Sequence, residues 1–424
     1  MKKRFPLLLC CTLAASLLAG CSAQTAQSGQ NSPIPKNMNA AGADSFAKNQ
    51  ISKDVIAGNT RFAFALFKQL DKEDGKRNIF ISPLSVSTAL TMTYQGAATS
   101  TKEAMAEALG YTGIANEKLS DSYKNLLPYL KTLDDKVELN ISNSVWVREG
   151  ENIKPNFLTA NKDIFQAAVT PLDFSKNNAA AQINQWISDA THKKIDKMVD
   201  APIPSDVIMY LINAIYFKGD WSEQFNPQAT FPTQFKTGNG GTNDVMMMSR
   251  TGKVEYGQGA DFQAVRLPYG SGKAAMYCIL PGKTANINDF IASLDANRWQ
   301  AIRNSIAERE EVRLQLPRFK LEYGIKNLNS SLSALGMGEA FTQKANFSGI
   351  GANIYISRVL HKAVIEVNEE GSEAAAATSV EIKQAEAPAQ MPAFIADRPF
   401  VFVIADDETG TILFMGKLYE AGQA

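Results

Sequence analysis

Glu369-Glu370-Gly371-Ser372-Glu373-Ala374-Ala375-Ala376-Ala377-Thr378-Ser379-Val380-Glu381-Ile382-Lys383-Gln384 is the stretch on which the fold turns. Counted in twos, one face carries Ser372, Ala374, Ala376, Thr378, Val380 and Ile382. The other carries Glu373, Ala375, Ala377, Ser379, Glu381 and Lys383. The first face is small, then apolar, and uncharged, while every charge from Glu373 to Lys383 falls on the second, as a strand burying one side requires. Alanine, however, is a poor strand former, and an acidic cluster with Gly371 separates the run from a strand candidate at 363–367. A segment with so weak a local preference tolerates both extended loop and buried strand, and Gly371 suits a hinge. Pro388 and Pro392 cannot join a central strand, so a buried segment must stop before them. On pattern alone an exposed alanine-rich helix or a linker stays open; Val380 and Ile382, two apart and followed by two prolines, weigh against the helix.

Upstream, Ile51, Val55, Phe62, Ala63, Leu66, Phe67 and Leu70 recur at helical spacing. Ser82-Pro83 reads as an N-cap with proline at the first helical position, opening a helix over 84–94 that ends at Gly96. Ser100 and Glu103 have capping-box spacing ahead of a helix over 104–109, with Gly110 as its stop. Val137, Leu139, Ile141, Val145 and Val147 give the period of two, and 207–217 is apolar on both faces, predicting a strand covered on both sides. Further helices are expected at 156–165 and 179–191, and strands at 312–316, 355–357, 363–367, 400–405 and 412–418. Helices come early and strands late, without an alternating rhythm, which points to an α+β domain with large, mainly antiparallel sheets.

At the other end, Lys2, Lys3 and Arg4 precede an apolar stretch of about 14 residues, too short to span a bilayer. It closes in Leu18-Ala19-Gly20-Cys21, which resembles the bacterial lipobox and implies a lipoprotein signal peptide over 1–20 and lipid on Cys21. A plain signal peptide is the alternative. Residues 21–49 then form a flexible polar tether, and 50–424 one globular domain. Cys278 alone would remain unmodified; it lies in an apolar run, so it reads as a packing residue and no intramolecular disulfide is expected.

The 43 basic and 43 acidic residues balance, with no like-charge block, so no nucleic-acid groove or polybasic membrane face is indicated. With two histidines, His192 and His361, and no G-x-S-x-G, H-E-x-x-H or paired C-x-x-C, the chain is not expected to be an enzyme, and no metal or cofactor is implied.

Five blocks, in order along residues 50–420, carry a family resemblance. They are Asn78-Ile79-Phe80-Ile81-Ser82-Pro83-Leu84-Ser85 running on to Tyr94-Gln95-Gly96-Ala97, and Leu211-Ile212-Asn213-Ala214-Ile215-Tyr216-Phe217-Lys218-Gly219-Asp220-Trp221. His361-Lys362-Ala363-Val364, Gly371-Ser372-Glu373-Ala374-Ala375, and Arg398-Pro399-Phe400 with 410–416 complete the set. The chain thereby resembles the serpins. The resemblance implies three β-sheets, about nine helices and an exposed reactive loop at about 369–397. It also implies a suicide-substrate mechanism: a serine or cysteine protease is trapped as an acyl-enzyme when the cleaved loop inserts into the main sheet.

Carried over by motif, Gly371, Ser372, Glu373, Ala374, Ala375, Ala376 and Ala377 form the hinge. Ser82, Asn213 and His361 form the shutter that holds the middle of the main sheet, with His361 a structural hydrogen-bonding group. Trp221, Arg318 and Glu369 form the breach where the loop enters; at the surface, the Arg318–Glu369 pair would be worth under about 1 kcal/mol. Counting from Gly371 puts the scissile bond at Ala385–Glu386, with Lys383, Ala387, Pro388 and Met391 as alternatives.

A small residue before the cut suits elastase-like or subtilisin-like proteases. The expected protein is a monomer whose partner is a protease and whose membrane contact is only the lipid anchor, at a bacterial cell envelope or surface. A non-inhibitory carrier or chaperone-like lipoprotein on the same fold is the rival. The buried face Ser372, Ala374, Ala376 and Thr378, free of bulk and charge, speaks against it.

Overall fold

The computed structural model describes residues 46–372 and 391–422. Among them are nine α-helices: α1 (Lys53–Glu73), α2 (Pro83–Tyr94), α3 (Thr99–Leu109), α4 (Asn116–Lys131), α5 (Pro155–Phe165), α6 (Ala179–Ala190), α7 (Ile287–Ala292), α8 (Ala296–Ser305) and α9 (Asn329–Leu332). Three sheets accompany them. The largest has nine strands in the order β1 (Ile79–Ile81), β17 (Ile412–Leu418), β16 (Phe400–Asp406), β8 (Ala274–Pro281), β7 (Phe262–Tyr269), β6 (Thr242–Gln258), β9 (Ala307–Pro317) and β15 (Ala393–Ile395), with β5 (Phe231–Lys236) also on β6. The second has six, in the order β10 (Phe319–Glu322), β13 (Val364–Val367), β14 (Gly371–Ser372), β4 (Met209–Asp220), β2 (Val137–Arg148) and β3 (Ala168–Leu172). β11 (Lys326–Asn327) and β12 (Leu360–His361) make the third. This α+β architecture, nine helices on three sheets, is the one the resemblance implied.

The six-stranded sheet carries the site. Its two long strands, β2 and β4, pair without a register break from Val137–Gly219 to Val147–Met209. Every second residue of β2 (Val137, Leu139, Ile141, Asn143, Val145, Val147) is buried on the inner face, as the period of two required. Beneath lies α2, whose residues are buried nearly all round and which touches both β4 and β17, so it is the core element between the sheets. Over the other face lies α6, with Trp146, Ile183, Ile187, Ile195 and Val199 in a second apolar cluster. β4 is covered on both sides at its centre, although Met209, Tyr210 and Leu211 at its start are only half-buried.

Several local expectations are met. Ser82 caps α2 by accepting the Ser85 amide, Pro83 is its first residue, and Gly110 closes α3 at φ +75°. Others are corrected. α3 begins at Thr99 after an Ala98 without a side-chain cap; Ser100 and Thr101 instead donate to the carboxylate of Glu339, 2.8 and 2.5 Å away, so a tertiary acceptor outcompeted the capping box. Residues 355–357 are not a strand. α4, with Pro128 inside it, and the strands β5–β7 had no counterpart in the sequence reading.

Candidate functional site

At one end of the six-stranded sheet the chain leaves β13 through a tight turn. Asn368 organises it: its side-chain oxygen accepts the amides of Glu370 (3.0 Å) and Gly371 (3.2 Å), and its own amide donates to the Gly371 carbonyl (3.0 Å). Gly371 and Ser372 are thereby set between two strands, with Ser372 opposite Val367 on β13 and Gly219 on β4, and Gly371 opposite Asp220. Gly371 is required here by proximity rather than by an unusual backbone angle. A Cβ would lie 2.1 Å from the Gly219 carbonyl oxygen, which no side chain tolerates.

Ser372 turns inward. Its Oγ is 2.7 Å from the Tyr269 hydroxyl, and both groups are buried. Tyr269 also stacks on Trp221, with ring centroids 4.5 Å apart and planes 13° from parallel, while Trp221 Nε1 donates to the Asn368 carbonyl at 2.9 Å. Arg318 clasps Glu369 from the flank: Nε lies 2.8 Å from both carboxylate oxygens, and Nη2 is 2.6 Å from Oε1. The Thr230 hydroxyl donates to the same carboxylate. Burial would raise the Glu369 pKa, but the Arg318 and Thr230 hydrogen bonds outweigh it and hold the carboxyl below the usual glutamate range. The surface premise fails, because the Glu369 side chain is only 6% exposed.

Beyond Ser372 the sheet parts. β4 is hydrogen-bonded to β2 along its whole length, but among the described residues no strand pairs with its opposite edge from Met209 to Lys218. A cleft occupies the space between Ile215 and Phe217 of β4 and Val364 and Glu366 of β13, with Ser372 at its head. Thr191 and Lys194, from the segment that follows α6, also line it.

Farther along, polar groups from β2, β4, β12 and the start of α2 form a buried relay. The Ser82 amide donates to His361 Nε2 (3.1 Å), and the Ser82 hydroxyl donates to the Leu413 carbonyl (2.7 Å). The Ser85 hydroxyl donates to the Asn213 carbonyl (3.3 Å), Asn213 Nδ2 to Asn143 Oδ1 (2.7 Å), and Asn143 Nδ2 to the Phe165 carbonyl (2.7 Å). An amide hydrogen aimed at Nε2 fixes the neutral tautomer of His361, with its proton on Nδ1. Burial pushes its pKa down to about 4. Among the described residues no hydroxyl is bonded to Nε2, and the Ser82 hydroxyl donates to the Leu413 carbonyl instead, so Ser82 and His361 are not arranged as a nucleophile with its base.

The structure thus brings Trp221, Arg318 and Glu369 around Gly371 and Ser372, and gathers Ser82, Asn213 and His361 along the strands below. Tyr269, Thr230, Asn143 and Ser85 complete these clusters, and the sequence reading gave them no role. Glu373, Ala374, Ala375, Ala376 and Ala377 of the hinge, the Ala385–Glu386 bond and Cys21 lie outside the described residues. Cys278 is fully buried in β8, and burial drives its thiol pKa upward.

Comparison with known proteins converges on one family. The profile of the serpins (serine protease inhibitors) matches residues 57–421. The chain is 34% identical over 368 residues to the intracellular coagulation inhibitor 2 of Tachypleus tridentatus, covering 85% of this chain and 89% of that one. It is 33% identical over 381 residues to the leukocyte elastase inhibitor of Bos taurus, covering 86% of this chain and 99% of that one. Among solved structures, the thermophilic serpin tengpin in its native state superposes with a TM-score of 0.80 at 32% identity, over 89% of this chain and 96% of that chain. With the profile spanning the whole folded region and relatives a third identical along nearly their full lengths, the chain belongs to the serpin family, whose members are for the most part protease inhibitors rather than catalysts.

Proposed function

We propose that the protein inhibits its target as a suicide substrate, capturing a protease at the loop that follows Ser372. The protease nucleophile attacks the scissile carbonyl, the peptide bond breaks, and the departing amine takes a proton. The acyl half stays esterified to the enzyme while the freed segment enters the cleft between β4 and β13. One observation carries this reading: Gly371 and Ser372 already occupy the first two positions of a strand between β13 and β4, at the head of an unpaired strand edge. An inserted segment that kept this register would set Ala374 opposite Phe217 and Ala376 opposite Ile215, on the face Ser372 already buries.

The scissile bond we assign is Ala385–Glu386. A small residue before the cut suits an elastase-like or subtilisin-like serine protease, and the similarity to a leukocyte elastase inhibitor supports the same class. The lipobox at Cys21 supports a lipid-anchored protein at a bacterial surface. Incubating the full chain with elastase-like, subtilisin-like and trypsin-like proteases, followed by denaturing gels and mass spectrometry of the released peptide, tests the proposal. A covalent complex with cleavage after Ala385 is the expected result. Cleavage without complex across the panel would refute inhibition.

A further inference from the structure

The turn that joins β5 to β6, on the far side of the molecule's chemistry so far, holds a reactive pair. Asn239 is followed by Gly240, and no other asparagine in the chain precedes a glycine. The side-chain amide of an asparagine is open to attack by the backbone nitrogen of the next residue, and a Cβ on that residue is the usual obstacle. Gly240 has none, and nothing lies within 4 Å of the place a Cβ would take. Both residues are exposed, and Gly240 holds φ +85°, so water reaches the pair from the open side of the turn.

The Asn239 amide is also engaged. Tyr419, buried one residue past the end of β17, donates its hydroxyl to Asn239 Oδ1 at 3.1 Å. A donor at that oxygen sits where negative charge gathers when Cγ is attacked. The same turn clasps the chain beyond β17: the Gly238 amide donates to the Tyr419 carbonyl (2.9 Å), and Asn243 Nδ2, at the start of β6, donates to the Ala421 carbonyl (2.9 Å). The fit is close, since a Cβ on Gly238 would lie 2.1 Å from the Tyr419 ring. One bond stands in the way of the attack: the Gly240 amide donates to the Thr237 carbonyl at 3.0 Å. In an exposed turn a bond of this kind opens at little cost.

We propose that Asn239 is a site of self-modification by deamidation, with Tyr419 as the donor that stabilises its oxyanion. The Gly240 backbone nitrogen forms a bond to Asn239 Cγ, and the charge that develops on Oδ1 is held by the Tyr419 hydroxyl. The Cγ–Nδ2 bond then breaks, and the nitrogen leaves as ammonia with the proton given up by Gly240. Water opens the resulting five-membered imide at either carbonyl, leaving aspartate or iso-aspartate at position 239. Water is the only co-reactant, and nothing is oxidised or reduced. The iso-aspartyl form threads the backbone through Cγ and adds a methylene to a turn with no room at Gly238. Tyr419 is thereby pushed off, and the clasp on the end of β17 loosens as the molecule ages.

The test ages the full chain in mildly alkaline and mildly acidic buffer and follows every asparagine by peptide mapping and mass spectrometry. An isoaspartyl methyltransferase counts the iso-aspartyl product. Asn239 should lose its amide before any other asparagine, and faster in the alkaline buffer, because the attacking nitrogen must shed its proton. Gly240→Ala should lose most of that rate, and Tyr419→Phe, which keeps the ring and removes the donor, should slow it several-fold. In the aged iso-aspartyl fraction the Gly238 amide should exchange its hydrogen faster than in fresh protein. Ageing of Asn239 no faster than that of the other asparagines, or an unchanged rate in Gly240→Ala, would overturn the site. A rate in Tyr419→Phe equal to or above wild type would overturn the part given to the hydroxyl, and unchanged exchange at Gly238 would overturn the loosening of the clasp.

Discussion

Arg318 holds Glu369 with its Nε equidistant, at 2.8 Å, from the two carboxylate oxygens, and this fork anchors the turn from which Gly371 and Ser372 enter the sheet. The Glu369 side chain is nearly enclosed, whereas the Arg318 side chain keeps about a third of its surface in solvent (32%), so the pair lies between the buried and the exposed limits.

Arg318→Ala would leave a buried carboxylate without its partner. Such removals cost about 3–5 kcal/mol when both groups are enclosed; partial exposure of Arg318 reduces the expectation to about 2 kcal/mol. Equilibrium unfolding of the uncleaved protein should show the loss, and Glu369→Gln, which stays neutral and keeps one acceptor for Thr230, should lose less.

His361 gives the protein an acid limb of predictable sign. Its pKa is about 4 in the fold, against an ordinary 6.5, so the unfolded chain binds more protons between those values. The contribution is fully present above pH 6.5 and is lost as pH falls towards 4, up to about 3 kcal/mol in all. Glu369, held below the usual glutamate range, also stabilises at higher pH, but its share is lost only below about pH 4.5. Unfolding midpoints between pH 6.5 and 5 should therefore fall for wild type and stay flatter for His361→Gln. Parallel curves would contradict the assignment.

Two substitutions separate entry from passage. Gly371→Ala places a methyl group 2.1 Å from the Gly219 carbonyl and should expel Gly371 and Ser372 from between β13 and β4, lowering the stability of the uncleaved form. Ala376→Arg leaves that entry intact but, under the proposed insertion, would carry a charge to the inward face opposite Ile215. Covalent complex with protease should fall at least about tenfold for this variant while cleavage continues, because an unpaired charge must be buried for insertion to finish.

Cys21→Ser tests the anchor. The altered protein should be recovered in the soluble fraction after cell fractionation, whereas the parent sediments with membranes; membrane association of both would refute the lipobox reading.

Local grammar made much of this molecule legible in its sequence. Ser82-Pro83 announced α2, Gly110 ended α3, and the alternation of Val137, Leu139 and Ile141 marked β2, because each signal lies within a few residues of its effect. Glu369, Arg318, Asn213 and His361 were located through family motifs rather than through spacing. What stayed hidden is long-range partnership. Tyr269 meets Ser372 across 103 residues, and Thr230 meets Glu369 across 139, with nothing in either neighbourhood to announce the meeting. The same cause moved the start of α3, where Glu339, 239 residues from Ser100, took the hydroxyls that a cap would have used.

The length of β4 has a mechanical meaning. The strand has 12 residues, and a segment filling its free edge from Gly371 runs out at Ile382, opposite Met209. At about 3.3 Å per residue that is a journey of about 40 Å. Ala385 would then trail the end of the track by Lys383, Gln384 and itself, a leash of about 10 Å. An enzyme still attached there would have no slack in which to stand off from the far pole. Each residue removed from the leash would draw it about 3.3 Å closer, so under the proposed insertion a strand's length, rather than the chemistry of the cut, would set how tightly the cargo is held to its carrier.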